Sequence, residues 1–147
     1  MVRPHRLSIK LPGREAGGVS RECLKARKLV YVLLTDRKNK YAVGRSRVAH
    51  IGTTGNGVSR VLASLAYRAR TILKWRGVRR CSVRLVTCGS RNGACTWHIL
   101  ERALLLAFRD MYGAVPRCNS QGRKMRPRKE HDYFRPARLR RVLEDLA

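Results

Sequence analysis

From Arg37 to Leu100 the chain carries no aspartate or glutamate, while fourteen lysines and arginines are spread over the same stretch. A fold built from such a segment cannot neutralise its cations with carboxylates of its own. Its basic side chains must stand on the surface, where they repel one another unless an anion lies against them. The whole chain repeats the imbalance, with 34 Lys+Arg against 9 Asp+Glu and a net charge of +25 over 147 residues. Arginine outnumbers lysine 26 to 8, and its planar fork is the side chain that grips phosphate through paired hydrogen bonds. A genome rich in arginine codons would inflate arginine but would not make acids scarce. The composition therefore favours nucleic acid as partner, ahead of an anionic membrane surface.

A hydrophobic content of 44% in a chain of this length is enough for one domain with a real core. The longest apolar candidates, Leu29 to Leu34 and Ile99 to Phe108, fall well short of the ~20 residues a bilayer needs, so no membrane span is expected. The N-terminus lacks an apolar signal core, and Glu15 and Glu22 argue against a transit peptide. Five cysteines (Cys23, Cys81, Cys88, Cys95 and Cys118) are an odd number without close Cys-x-x-Cys pairs, which fits reduced thiols in the cytoplasm better than a disulfide framework or a zinc site.

Residues 1–28 hold Pro4, Pro12, Gly13, Gly17 and Gly18 among scattered bases and read as an extended basic arm. Leu29-Val-Tyr-Val-Leu-Leu34 reads as a buried strand, and Arg37 to Lys40 as a polar turn. Extended stretches follow at 41–43 and 48–51, closing on the glycine-rich turn 52–57. From Val58 to Trp75 apolar residues recur at helical spacing, leaving Arg60, Ser64, Tyr67, Arg68 and Thr71 together on the opposite face. Cys81 to Cys88 is a third strand, and Gly89 to Gly93 a turn. A long helix runs from about Cys95 to Tyr112, with Gly113 as its C-cap. Pro116 to Lys129 is a basic loop or arm without an acid, and Pro136 starts a final amphipathic helix carrying Leu139, Val142, Leu143 and Leu146. The expected fold is α+β: a small three-stranded antiparallel sheet flanked by helices, with basic arms at both ends. The expected domain spans 29–119, with an arm at 1–28 and a basic arm plus helix at 120–147.

One acid stands out. Glu101 lies four residues after Trp97 and three, four and seven before Leu104, Leu105 and Phe108, on an apolar helix face. An ionised carboxylate there needs a cation or several donors. Arg60, Arg68, Arg102 or a metal ion are the candidates.

Tyr31 in a first strand, His50-Ile51-Gly52 ending a second, Arg60 eight residues later on a helix, Glu101 on a later helix, and Pro116 to Asn119 after it together resemble the GIY-YIG nuclease superfamily. The order of the elements is the specific part, and the likeness covers about Leu29 to Asn119. It implies that Tyr31 is the reactive tyrosine, that His50 replaces the second tyrosine, that Arg60 is the helix arginine, that Glu101 is the single metal-binding glutamate, and that Asn119 is the polar residue following the proline. Ser64 stands where the family often has a histidine, and the spacing from Tyr31 to His50 is longer than usual. Tyr41 lies nearer that spacing, but no helix arginine follows Gly44 at the matching offset.

On that likeness the chain is expected to hydrolyse DNA phosphodiesters with one Mg²⁺ or Mn²⁺ at Glu101, hard cations that favour oxygen ligands. Arg60 would stabilise transition-state charge. Tyr31 would act as base if neighbouring cations favour its phenolate, and His50, titrating nearer neutrality, would share the proton transfer. Arg45, Arg47, Arg68, Arg123, Lys124, Arg126 and Arg128 are the expected nucleic-acid contacts, made to backbone phosphate without reading sequence. RNA is the alternative to DNA, and non-catalytic binding on the same scaffold is the alternative to cleavage. A single metal site cuts one strand at a time, so double-strand cleavage would call for a homodimer on DNA or two events.

Overall fold

The structure, a computed structural model, describes residues 9–10, 28–89 and 93–147. The expected arm at 1–28, with Cys23, lies outside the described residues except for 9–10 and Lys28, and so does the middle of the 89–93 turn. The elements run β1 (Ile9–Lys10), β2 (Leu29–Lys40), β3 (Arg45–Thr54), α1 (Val58–Ile72), β4 (Cys81–Cys88), α2 (Thr96–Tyr112), α3 (Glu130–Tyr133) and α4 (Pro136–Leu146). The three longer strands form the expected antiparallel sheet. The two-residue β1 adds a fourth strand at one edge, giving the order β1-β4-β2-β3.

The central strand explains the unbroken apolar run at its start. Val30, Val32 and Leu34 enter a core shared with Leu104, Phe108, Leu139 and Leu143 of α2 and α4. Their alternates Leu29, Tyr31 and Leu33 enter a second core with Val61 and Ile72 of α1. A strand covered on both faces has no polar side to show, so alternation disappears. The sheet thus lies between α1 on one side and α2 with α4 on the other.

Three boundaries differ from the sequence reading. β2 continues through Arg37–Lys40, because Thr35 Oγ1 donates to the Arg37 and Arg47 carbonyls and Asn39 Nδ2 donates to Thr35 Oγ1. These side chains tie a polar segment into the ladder, and the turn falls at 41–44 instead. α1 stops at Ile72 rather than Trp75. Residues 120–147 are not an appendage: Phe134, Leu139, Val142, Leu143 and Leu146 are fully buried in the α2 core. α2 ends as expected at Gly113, whose φ of 71° is a left-handed conformation that side chains with a Cβ resist. Among the described residues no helix is long and apolar enough to cross a membrane.

Candidate active site

Antiparallel pairing sets Tyr31 opposite Gly52, and Leu33 opposite His50, on the face of the sheet that α1 covers. Tyr31 and His50 therefore lean over one spot, with ring centroids 5.7 Å apart. Gly52 makes the spot possible. A Cβ at that position would lie 2.6 Å from Tyr31 Oη and 2.8 Å from His50 Nε2, both inside contact distance. The missing side chain lets the phenol and imidazole approach the β3 backbone and floors a cavity of about 150 Å³.

The other walls come from three further elements. α1 supplies Arg68, α2 supplies Glu101, and the loop after α2 supplies Cys118 through Gln121. Ser64 fixes the α1 wall, since its Oγ lies 2.8 Å from Tyr31 Oη and accepts a 2.6 Å bond from Arg68 Nη1. The serine thus joins the tyrosine to a guanidinium in one short chain.

Of the five residues that the resemblance assigns to catalysis or metal binding, Tyr31, His50, Glu101 and Asn119 line this one cavity, and Arg60 does not. Arg60 stands exposed one turn before Ser64. The arginine at the cavity is Arg68, one turn after it, which the sequence reading had assigned to backbone contact. A 60/64/68 stripe is legible from helical spacing, but which end of it meets the sheet depends on how α1 lies across β2 and β3. Tyr41 is also excluded from the cavity. Its ring packs edge-on against Phe108 at 5.0 Å, its hydroxyl donates to the Val48 carbonyl at 2.6 Å, and burial pushes its phenol up to about 12.

Asn119 is engaged through both ends of its amide. Its Oδ1 accepts from the Ile51 N–H at 2.9 Å and its Nδ2 donates to the Ile51 carbonyl at 2.8 Å. With the Cys118 N–H donating to the Ala49 carbonyl at 2.9 Å, the loop runs along β3 as a substitute strand. β3 is an edge of the sheet, and this pairing both covers that edge and closes the cavity.

Electrostatics separate the two titrating groups. Burial, reinforced by the Arg68 charge, lowers His50 to about 4 against a weak opposing pull from the Cys118 carbonyl, which does not meet hydrogen-bond geometry. The imidazole is neutral at pH 7, well below the near-neutral titration expected from sequence. Burial raises Glu101 to about 7, offset only partly by Arg102. Arg102 is spent elsewhere, donating from Nε to Glu130 Oε1 at 2.6 Å. The His98 Nδ1 lies 3.9 Å from the Glu101 carboxylate, on a largely exposed side chain. Burial also raises the Cys118 thiol, so Cys118 and His50 are driven away from a thiolate–imidazolium pair rather than towards one.

Among the described residues no group of three or more His, Cys, Asp or Glu gathers to hold a metal ion. Among the described residues Glu101 is the carboxylate at the cavity that could take one: it is 17% exposed, and its neighbour Arg102 is bonded to Glu130. A divalent cation held there would draw its remaining oxygens from phosphate and water.

The remaining basic candidates sit on the surface. Arg45 opens β3 in full exposure, and Arg47 is half-buried with its carbonyl bonded to Thr35. The loop carrying Arg123, Lys124, Arg126 and Arg128 is anchored to α2. Arg109 Nη1 donates to the carbonyls of Gly122, Arg123 and Met125 at 2.9, 3.3 and 2.8 Å, and Arg102 Nη2 donates to that of Arg126 at 3.0 Å. The Arg128 N–H donates to Glu130 Oε2 at 2.6 Å. These anchors on the loop are main-chain groups, which leaves its four basic side chains exposed. Comparison with family models, with curated proteins and with solved structures finds no match for this chain.

Proposed function

We propose that this chain is a metal-dependent endonuclease that hydrolyses DNA phosphodiester bonds, on the pattern of the GIY-YIG superfamily that its motif order resembles. The observation that carries the proposal is the meeting of a tyrosine, a neutral histidine, an arginine and a carboxylate around one small polar cavity. Glu101 would hold Mg²⁺ or Mn²⁺, which when bound supplies Lewis-acid polarisation of a phosphate oxygen and countercharge at the scissile group. Arg68 takes the part first given to Arg60. Its guanidinium donates to a non-bridging oxygen and, oriented by Ser64, stabilises the added negative charge of the transition state. His50, unprotonated at neutral pH, accepts a proton at Nε2, the atom that faces Gly52 beside Tyr31 Oη. Tyr31 positions the attacking water through the same hydroxyl that bonds Ser64.

Nicking of supercoiled plasmid in Mg²⁺ or Mn²⁺ tests this. Arg68→Ala is expected to slow nicking by roughly a hundredfold or more, as loss of a transition-state donor does, while Arg60→Ala changes it only a few-fold. Wild-type protein that never nicks, or undiminished nicking by Glu101→Ala, sinks the proposal. The second reading, nucleic-acid binding without cleavage, is favoured by Asn119, whose amide is consumed by Ile51. Tight binding with no cleavage at any metal concentration would decide for it.

A further inference from the structure

Arg68 and Cys118 wall two spaces at once. On one side lies the small cavity, and on the other an open groove of about 690 Å³ lined by Tyr67, Arg70, Thr71, Trp75 and Arg117. The groove and the cavity therefore lie side by side, with Arg68 and Cys118 as their common wall. No acid lines it.

Its aromatic content is as telling as its charge. Tyr67 is 77% exposed and so forgoes the gain that burial gives a tyrosine ring. Trp75 is anchored by packing against the α1 core and is only partly buried. The Arg117 guanidinium lies 5.2 Å from the Trp75 ring, and its Nη2 donates to the Lys40 carbonyl at 3.1 Å. Those two contacts hold a planar cation beside an aromatic ring. The Arg68 guanidinium stands 6.0 Å from the Tyr67 ring centroid. The groove thus pairs planar platforms with phosphate-gripping cations. Arg117 also lines a third space, with Lys40, Arg109 and Arg123, which prolongs the basic track away from the cavity.

Bases within a duplex have both faces covered by their neighbours, so an aromatic side chain can stack only on a base that is unpaired. A groove meant for duplex backbone needs cations and no exposed rings. We infer that this groove binds single-stranded nucleic acid, stacking unpaired bases on Tyr67 and on the Trp75–Arg117 pair while Arg68 and Arg70 hold the intervening phosphates. The inference deepens the nuclease proposal and rests on it for one point only, that the strand held in the groove is the one delivered past Arg68 to the cavity.

The experiment measures fluorescence-anisotropy binding of the full chain to a labelled oligothymidylate and to a duplex of equal length, in EDTA so that no cleavage intervenes. Tyr67 is exposed, so its replacement leaves the core untouched. Tyr67→Ala is expected to weaken oligothymidylate binding by roughly five- to a hundredfold, the worth of one stacked base, and duplex binding by less than about twofold. Tyr67→Phe, which keeps the ring, is expected to restore wild-type affinity. Equal losses on the two probes, no loss on either, or failure of Tyr67→Phe to restore binding overturns the inference. The test stands apart from catalysis: selective loss on the single strand with no plasmid nicking would keep the groove and discard the nuclease, and nicking without selectivity would do the reverse.

Discussion

An ionised Glu101 sits in a largely buried place, and Arg102, whose charge acts on it, is turned to Glu130. Its carboxyl, raised from 4.5 to about 7, is harder to ionise in the fold than in the unfolded chain. The sign follows from linkage: the native state holds its proton longer, so stability present below 4.5 is lost as pH rises through 7. Glu101→Gln keeps the shape and removes the ionisation. In EDTA the variant is expected to be the more stable protein at pH 8, on the order of 2 kcal/mol after allowing for partial exposure, and so to melt about 5 °C higher. The gap should close as pH falls towards 4.5, and thermal denaturation of both proteins across that range measures it. His50 runs the other way. Lowered from 6.5 to about 4, it supports the fold above 6.5 and ceases to as pH falls towards 4, but it is common to both proteins and drops out of their difference. An equal melting temperature at pH 8 would mean that the Glu101 carboxylate is solvated, leaving no electrostatic reason for a cation beside it.

Among elements, β3 is held by two different partners. β2 pairs it on one side, and on the other the loop after α2 does so through one main-chain bond from Cys118 and the two-way amide of Asn119. Asn119→Ala removes both amide bonds and leaves the buried Ile51 donor and acceptor open, which should cost about 1–3 kcal/mol in urea denaturation and speed hydrogen exchange at the Ile51 amide. Asn119→Asp is expected to be no better, because a carboxylate accepts from the Ile51 N–H but turns its second oxygen against the Ile51 carbonyl. A stable Asn119→Asp protein would show that the loop is held by Cys118 alone. This edge also marks how far the sequence could be read. Leu29 to Leu34, Cys81 to Cys88, the helix ending at Gly113 and the apolar stripe of α4 are legible because each records its own burial or turn chemistry locally. Tyr31, His50 and Glu101 could be singled out by motif order. The roles of Asn119, Ser64 and Arg68 could not, because they depend on which strand is the edge and how α1 crosses the sheet, and no local pattern encodes either. The polar end of β2 was misplaced for a related reason: Thr35 and Asn39 look like turn residues until their partners on β3 are known.

For the molecule as a whole, a charge of +25 is distributed by the fold rather than simply tolerated by it. Arg102 and Arg109 are turned inward to hold main-chain carbonyls of the 122–126 loop, and that use of two cations fixes the loop from which Arg123, Lys124, Arg126 and Arg128 project. A free basic arm would attract phosphate from any direction. A loop fixed at its main chain presents its charges as a set, on the side of the molecule where Arg123 lines the same space as Arg117 and Lys40. Replacing all four side chains with glutamine leaves every one of those main-chain anchors in place, so the fold and its melting temperature should hardly change. Duplex binding should change in a particular way: each lost phosphate contact flattens the plot of log affinity against log salt by about 0.9, so the slope should fall by roughly 2 to 4 with little dependence on DNA sequence. Titrations at several salt concentrations, with the wild type and the four-glutamine variant side by side, read this directly. An unchanged slope would show that the loop faces away from the duplex and that other cations, such as Arg45 on β3 and Arg60 on α1, engage it.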